Sequence, residues 1–92
     1  MTGRALQRHL ATLGIAAQKL VHKRETGDYV AEFFVPGMKE PVEPSRVWAK
    51  RIRTMLPQAT IINTQDTIAS WRPDMPVIFA TVIFQLQDEI AA

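Results

Sequence analysis

The sequence predicts an α+β fold, a two-layer sandwich in which two helices cover one face of a four-stranded antiparallel sheet. Three observations predict it. A helix pattern followed by two strand patterns occurs twice, which gives the order αββαββ. Residues 76–86 are apolar on both alternating faces and rich in β-branched side chains, as an interior strand is. The 92 residues, of which 47% are hydrophobic, provide one core and favour a single domain over residues 1–92.

The first helix is predicted over residues 3–13. Thr2 is suited to the N-cap, and Gly14 is suited to the position after the last turn. The apolar side chains fall at i, i+4 and i+7, the spacing of one helix face: Leu6, Leu10 and Leu13.

A β-hairpin is predicted next. The strand-like segments AQKLVHKR and YVAEFFV flank the turn residues ETGD, in which Gly27 supplies a positive φ. The pattern leaves a loop of two or three residues. A two-residue loop pairs Leu20 with Phe33, whereas a three-residue loop sets Leu20 against Glu32, so apolar matching favours the two-residue loop.

The second half repeats this order after a loop. Residues 36–44 contain three prolines and a glycine, which interrupt regular structure. The second helix is predicted to begin at Ser45, directly after Pro44, and to end before Pro57. ATIINTQ is then predicted to be a strand, DTIASWRPDM an irregular or partly extended connection, and residues 76–86 the last strand.

One sheet face is left without a covering element. Read as a ring, the order αββαββ is a circular permutation of the ferredoxin-like βαββαβ arrangement, with both helices on one side of the sheet. In the last strand, Val77, Phe79 and Ile83 or the opposite alternating set would then meet solvent. Because large exposed apolar patches mark interaction sites, we expect a homodimer through this face, or a protein partner or ligand bound there.

The sequence contains no motif for catalysis, a cofactor or a metal. A Gly-rich phosphate loop, a GxSxG turn and metal-ligand spacings are all missing. The chain has no cysteine, which excludes a disulfide framework and thiolate ligands. His9 is interpreted as a half-buried imidazole at a helix edge, and His22 has no carboxylate neighbour that would support a general base.

Paired carboxylates would arise only through folding. The candidates are Asp66 with Asp74 and Asp88 with Glu89. Since such pairs occur in most sequences, we predict that the protein is not an enzyme and holds no cofactor.

Charge is segregated along the chain, whose net charge is +2. Residues 1–24 carry five basic and no acidic side chains, residues 25–44 five acidic and one basic, and residues 45–72 five basic and one acidic. The basic residues opposite the two apolar helix stripes would form one positive surface: Arg4, Arg8, Arg46, Lys50 and Arg53. This surface would bind nucleic-acid phosphates, or it is simply the solvated face of the helices.

The two tryptophans have different predicted roles. Trp48 heads the apolar stripe of the second helix and is predicted to pack in the core. Trp71 either packs at the core or sheet edge, which we prefer, or anchors a partner. Arg72 would stack on the Trp71 indole or pair with Asp74.

The predicted function is a small non-enzymatic binding or assembly module that self-associates through the open sheet face. Its candidate interface residues are Val77, Phe79, Ile83 and Trp71. The alternative is a nucleic-acid-binding accessory protein, and a ligand-binding or enzymatic role in a dimer groove is a third possibility. We expect a cytoplasmic protein, because the first 20 residues have arginines within their apolar spacing and do not resemble a secretion signal. We expect no membrane segment, because residues 76–86 are too short for a spanning helix, which needs about 20 apolar residues.

Overall fold

The computed structural model describes residues 2–87. The elements in chain order are α1 (Gly3–Thr12), β1 (Lys19–Lys23), β2 (Asp28–Phe34), α2 (Ser45–Met55), β3 (Ala59–Ile68) and β4 (Val77–Leu86). The four strands form one antiparallel sheet in the order β1-β2-β4-β3. The predicted α+β fold, with its αββαββ order, is confirmed.

Helix α1 begins at the predicted residue and ends one residue before the predicted end. The Thr2 hydroxyl oxygen accepts a hydrogen bond from the Ala5 N–H at 3.1 Å, which satisfies one of the free amides of the first turn. Leu13 follows the last helical residue, and Gly14 has a φ of 83°, in the left-handed region. The helix is therefore one residue shorter than the predicted 3–13.

Both helices pack on the same face of the sheet. Leu6 and Leu10 of α1 and Ile52 of α2 are almost fully buried and belong to one core cluster. The cluster takes every second residue of the central strands, because side chains alternate between faces along a strand: Tyr29, Ala31, Phe33, Ala80, Val82, Phe84 and Leu86. Among residues 2–87, no helix lies over the opposite face.

The hairpin register differs from the prediction. Leu20 pairs with Ala31, and the last paired residues are Lys23 and Asp28, so the loop has four residues rather than two or three. The Gly27 N–H donates to the Lys23 carbonyl at 2.8 Å and closes this wider turn. Moving the partner of Leu20 from Phe33 to Ala31 is a shift of two residues, which keeps every side chain on its face. Apolar alternation alone therefore does not distinguish these registers.

Strand β3 is three residues longer than predicted. The prediction ended it at residue 65, but it continues to Ile68 and pairs with β4 along its length. Asp66, within this extension, accepts hydrogen bonds from the Ser45 N–H at 2.8 Å and the Ser45 hydroxyl at 3.0 Å. Pro44 at the N-cap position provides no side-chain hydrogen bond, and the Asp66 carboxylate takes over the capping of α2. None of the helices in the described range is long and apolar enough to cross a membrane.

Candidate interaction surfaces

The first candidate surface is the face of the sheet turned away from the helices, here called the open face. On β4 the outward side chains are all partly exposed, whereas the residues that alternate with them are buried. The structure thus places two predicted interface residues, Phe79 and Ile83, together on the open face. The third, Val77, lies beyond a register shift between β3 and β4 and packs against the core cluster instead. The alternating set beneath them forms the core.

Neighbouring strands extend the apolar surface of β4. Val21 pairs with Val30, and Val30 pairs with Ile83, so three apolar side chains form a row across the open face. Further along the same face Phe34 pairs with Phe79, and their rings stack with centroids 5.3 Å apart. Within the sheet, only β4 residues were predicted for the interface, although the alternation in YVAEFFV also indicates Val30 and Phe34.

The charged groups of the open face balance one another. Lys19 of β1 lies opposite Glu32 of β2, and Lys23 lies opposite Asp28. Within residues 2–87 neither lysine forms an ion pair, and the Asp28 carboxylate instead accepts a hydrogen bond from Gln85 Nε2 at 2.7 Å. The open face therefore has a row of two positive groups beside a row of two negative groups.

The second candidate surface is the exposed side of α1 and α2, here called the helix layer. Neither helix contains an acidic residue, and together they expose six basic side chains: Arg4, Arg8, Arg46, Lys50, Arg51 and Arg53. None of the six forms an ion pair with another residue in the described part of the chain. All five predicted nucleic-acid contacts belong to this layer, on the opposite side of the sheet from the open face.

Two grooves divide the predicted basic residues. A groove of about 760 Å³ lies between the start of α1 and β1 and brings Arg4 beside Lys19 and Arg24. A smaller groove of about 380 Å³ lies between the end of α1 and α2 and is lined by Lys50 and Arg51. Neither of these grooves is lined by the remaining three predicted residues: Arg8, Arg46 and Arg53.

Trp48 packs against the core, as predicted. Its ring stacks on Phe33, with centroids 4.2 Å apart and an interplanar angle of 8°. The Arg51 guanidinium carbon lies 4.9 Å from the centre of the indole ring, within the range of a cation–π contact. Within residues 2–87, the buried Trp48 Nε1–H has no hydrogen-bond partner.

Trp71 does not pack at the core or the sheet edge, and the preferred prediction for it is wrong. Its side chain is 66% exposed, more than any other large hydrophobic residue in the described range. Arg72 pairs with Asp74 instead, with 3.1 Å between Nη2 and Oδ2, so one of its two predicted contacts is confirmed. Of the two roles considered, the structure leaves Trp71 available for that of a partner anchor.

Neither histidine belongs to the apolar surface of the open face. His9 is exposed on α1 rather than half-buried, because Leu6 and Leu10 occupy the buried stripe of the helix. His22 stacks on Tyr29, with ring centroids 4.2 Å apart and an interplanar angle of 10°. This contact gives His22 a packing role at the sheet edge.

Of the two candidate carboxylate pairs, only Asp66 with Asp74 lies within the described residues, and these two side chains bind other partners. Asp66 caps α2 and Asp74 pairs with Arg72, so each has a structural partner of its own. Asp88 and Glu89 lie outside the described residues. From residue 2 to residue 87, no three His, Cys, Asp or Glu side chains cluster in a way that could hold a metal ion.

No protein-family model, curated protein or solved structure matches the chain.

Proposed function

We propose that the protein is a non-enzymatic assembly module that forms a homodimer through the open face. The observation that carries the proposal is the partly exposed apolar surface of Val30, Phe34, Phe79 and Ile83, over which no helix of the described range lies. A monomer leaves these side chains in water on two central strands. A second copy would cover them.

The energy available from this burial is comparable to the cost of association. Covering about 300 Å² of apolar surface on each copy, at about 25 cal/mol per Å², contributes roughly 15 kcal/mol in total before the costs of association. Lost translational and rotational freedom costs an estimated 4–15 kcal/mol or more. A surplus of about 4–8 kcal/mol would correspond to a millimolar to micromolar dimer.

The charge pattern favours a second copy as the occupant. Lys19 and Lys23 lie beside Asp28 and Glu32, so the open face has no net charge although the protein carries +2. In a two-fold arrangement the same patch contacts itself, and basic groups of one copy can lie near acidic groups of the other. A polyanion gains little from such a neutral face.

The test is the oligomeric state of Ile83→Lys, measured by sedimentation equilibrium. We expect wild type to dimerise in the micromolar to millimolar range and Ile83→Lys to be a folded monomer, because a dimer would bury the new charge without a partner. Met55→Lys is the control, since Met55 is 43% exposed on α2 and lies away from the open face. Wild type that remains monomeric at high micromolar concentration, where dimer should be detectable, would contradict the proposal.

The helix layer supports a second candidate function, the binding of nucleic acid by a cytoplasmic accessory protein. Six exposed cations without a neighbouring acid in either helix would contact phosphates, with the strength of binding falling as salt rises. The lack of cysteine suits a reducing compartment.

Charge reversal on α2 tests this second function. Changing Arg46, Lys50 and Arg53 to Glu should abolish duplex binding, and single changes should reduce the log–log salt slope by about 0.9 per lost phosphate contact. Lys39→Glu, in the loop after β2, is the matched control for Lys50→Glu. Equal loss of affinity in these two single variants, or no binding of any nucleic acid at low salt, would refute it.

A further inference from the structure

A second apolar surface lies at one end of the sheet, where β2 ends and β4 begins. Two loops, residues 35–44 and 69–76, meet there: Arg72 Nη1 donates to the Lys39 carbonyl at 3.4 Å. Five large hydrophobic side chains of this region are exposed and are here called the loop-end patch: Val35, Met38, Ile68, Trp71 and Met75.

Hydrogen bonds hold the loop around Trp71 in one shape. The Ala69 N–H donates to the Pro76 carbonyl at 2.9 Å, and the Arg72 N–H donates to the Ala69 carbonyl at 3.1 Å. The Met75 N–H donates to the Arg72 carbonyl at 3.1 Å. The indole is thus presented by an ordered turn, and less conformational entropy is lost when it is buried.

Two methionines of the patch have unusual backbone angles. Met38 has a φ of 52° and Met75 a φ of 44°, in the left-handed region that favours glycine. Strained positions of this kind concentrate at functional sites. Here they place two exposed thioether side chains in the loops that flank the indole, and methionine adapts well to an irregular partner surface.

We infer that the loop-end patch belongs to the same interface as the open face, with Trp71 as its anchor and a second copy of this chain as its occupant. The inference rests on the proposed homodimer and names a further part of its interface. The patch adjoins the end of the sheet at which the open face carries the Phe34–Phe79 pair, because Val35 follows Phe34 directly and β4 begins two residues after Met75.

The size of the open face supports this extension. Strands about 4.8 Å apart, with about 3.4 Å per residue over the lengths observed, give the whole sheet a projected area of roughly 520 Å². A stable interface buries about 800 Å² on each partner. Trp71, two-thirds exposed, adds roughly 165 Å² if a full indole side chain presents about 250 Å². The patch therefore supplies much of the area that the sheet alone lacks.

Fluorescence of Trp71 tests the inference. The chain has two tryptophans, so Trp48→Phe leaves Trp71 as the only one. We expect its emission to shift to shorter wavelength, and its quenching by iodide to fall, as the concentration rises through the dimer dissociation constant measured by sedimentation. Trp71→Ala in the wild-type background should weaken dimerisation at least about tenfold. Met55→Ala, at a residue with 43% exposure on α2, should leave it unchanged.

The outcomes separate the two proposals. A dimer in which Trp71 stays fully quenchable, and which Trp71→Ala does not weaken, overturns the loop-end inference and leaves the sheet-face dimer intact. A chain that is monomeric at every concentration overturns both. If Trp71 becomes protected only on addition of a different protein, the second copy is the wrong occupant.

Discussion

The cap on α2 provides a prediction whose size follows from the structure. Asp66 in β3 accepts two hydrogen bonds from Ser45, the first residue of α2. Ser45 is 1% exposed, and it is 21 positions away from Asp66 in the sequence. Asp66→Ala removes both acceptors and leaves a buried amide and a buried hydroxyl without partners among the described residues.

The expected loss combines two effects. Removing an N-cap side chain costs about 1 kcal/mol, with a range of roughly 0.5–2. A buried donor left unsatisfied costs about 1–3 kcal/mol, and the exposed position of Asp66 lets water replace part of this. We therefore expect a loss of about 2 kcal/mol in the free energy of unfolding, which lowers Tm by roughly 8–16 °C in a domain of this size.

Urea and thermal unfolding followed by circular dichroism measure this loss. Asp74→Ala is the matched control, because Asp74 forms an exposed ion pair with Arg72 that should contribute about 0–1 kcal/mol. Asp66→Asn keeps one acceptor for the Ser45 amide and should lie between wild type and Asp66→Ala. If Asp66→Ala and Asp74→Ala unfold at the same temperature, the cap contributes nothing and the reasoning is refuted.

Substitutions at three further residues test the packing and the backbone conformation through urea unfolding. Gly3→Ala should lose about 1–3 kcal/mol, because the added Cβ would lie 2.8 Å from the Leu20 carbonyl oxygen; a gain in stability would contradict that close approach. Gly27→Ala should lose about 1–2 kcal/mol of stability from its φ of 78° alone, since no atom lies within 4 Å of the added Cβ. Gly27→Asn should lose less stability than Gly27→Ala, and equal losses would exclude backbone strain as the cause. Trp48→Phe should change stability by less than about 1 kcal/mol, because it keeps an aromatic ring on Phe33 and removes an N–H that has no partner among residues 2–87. A larger loss would show that the part of the indole that is removed contributes substantially to the packing.

The fold was predictable from the sequence because its signals are local. The helix stripes, the proline loop and the two-sided apolar run of β4 each lie within a dozen residues. The hairpin register was not predictable, because Ala31 and Phe33 are both apolar and lie on the same face, so either can pair with Leu20.

Contacts between distant segments account for the other differences. The strand character of residues 66–68 depends on pairing with β4 and on the Asp66 contact with Ser45, neither of which leaves a local pattern. Trp71 was expected to pack because tryptophan is usually buried, whereas the turns around it direct the indole outward. The open face was predictable, because two helices on one side of the sheet leave no predicted element to cover the other side.

The opposite placement of the helix layer and the open face determines what a dimer could bind. Two copies joined by their sheets would direct their basic helices outward in opposite directions, roughly 40 Å apart across two sheets and two helices. Such a dimer would be bivalent, and it would cross-link two separate polyanions rather than bind one polyanion from both sides. The apparent affinity of the dimer would then depend on how closely the two polyanions are tethered to each other.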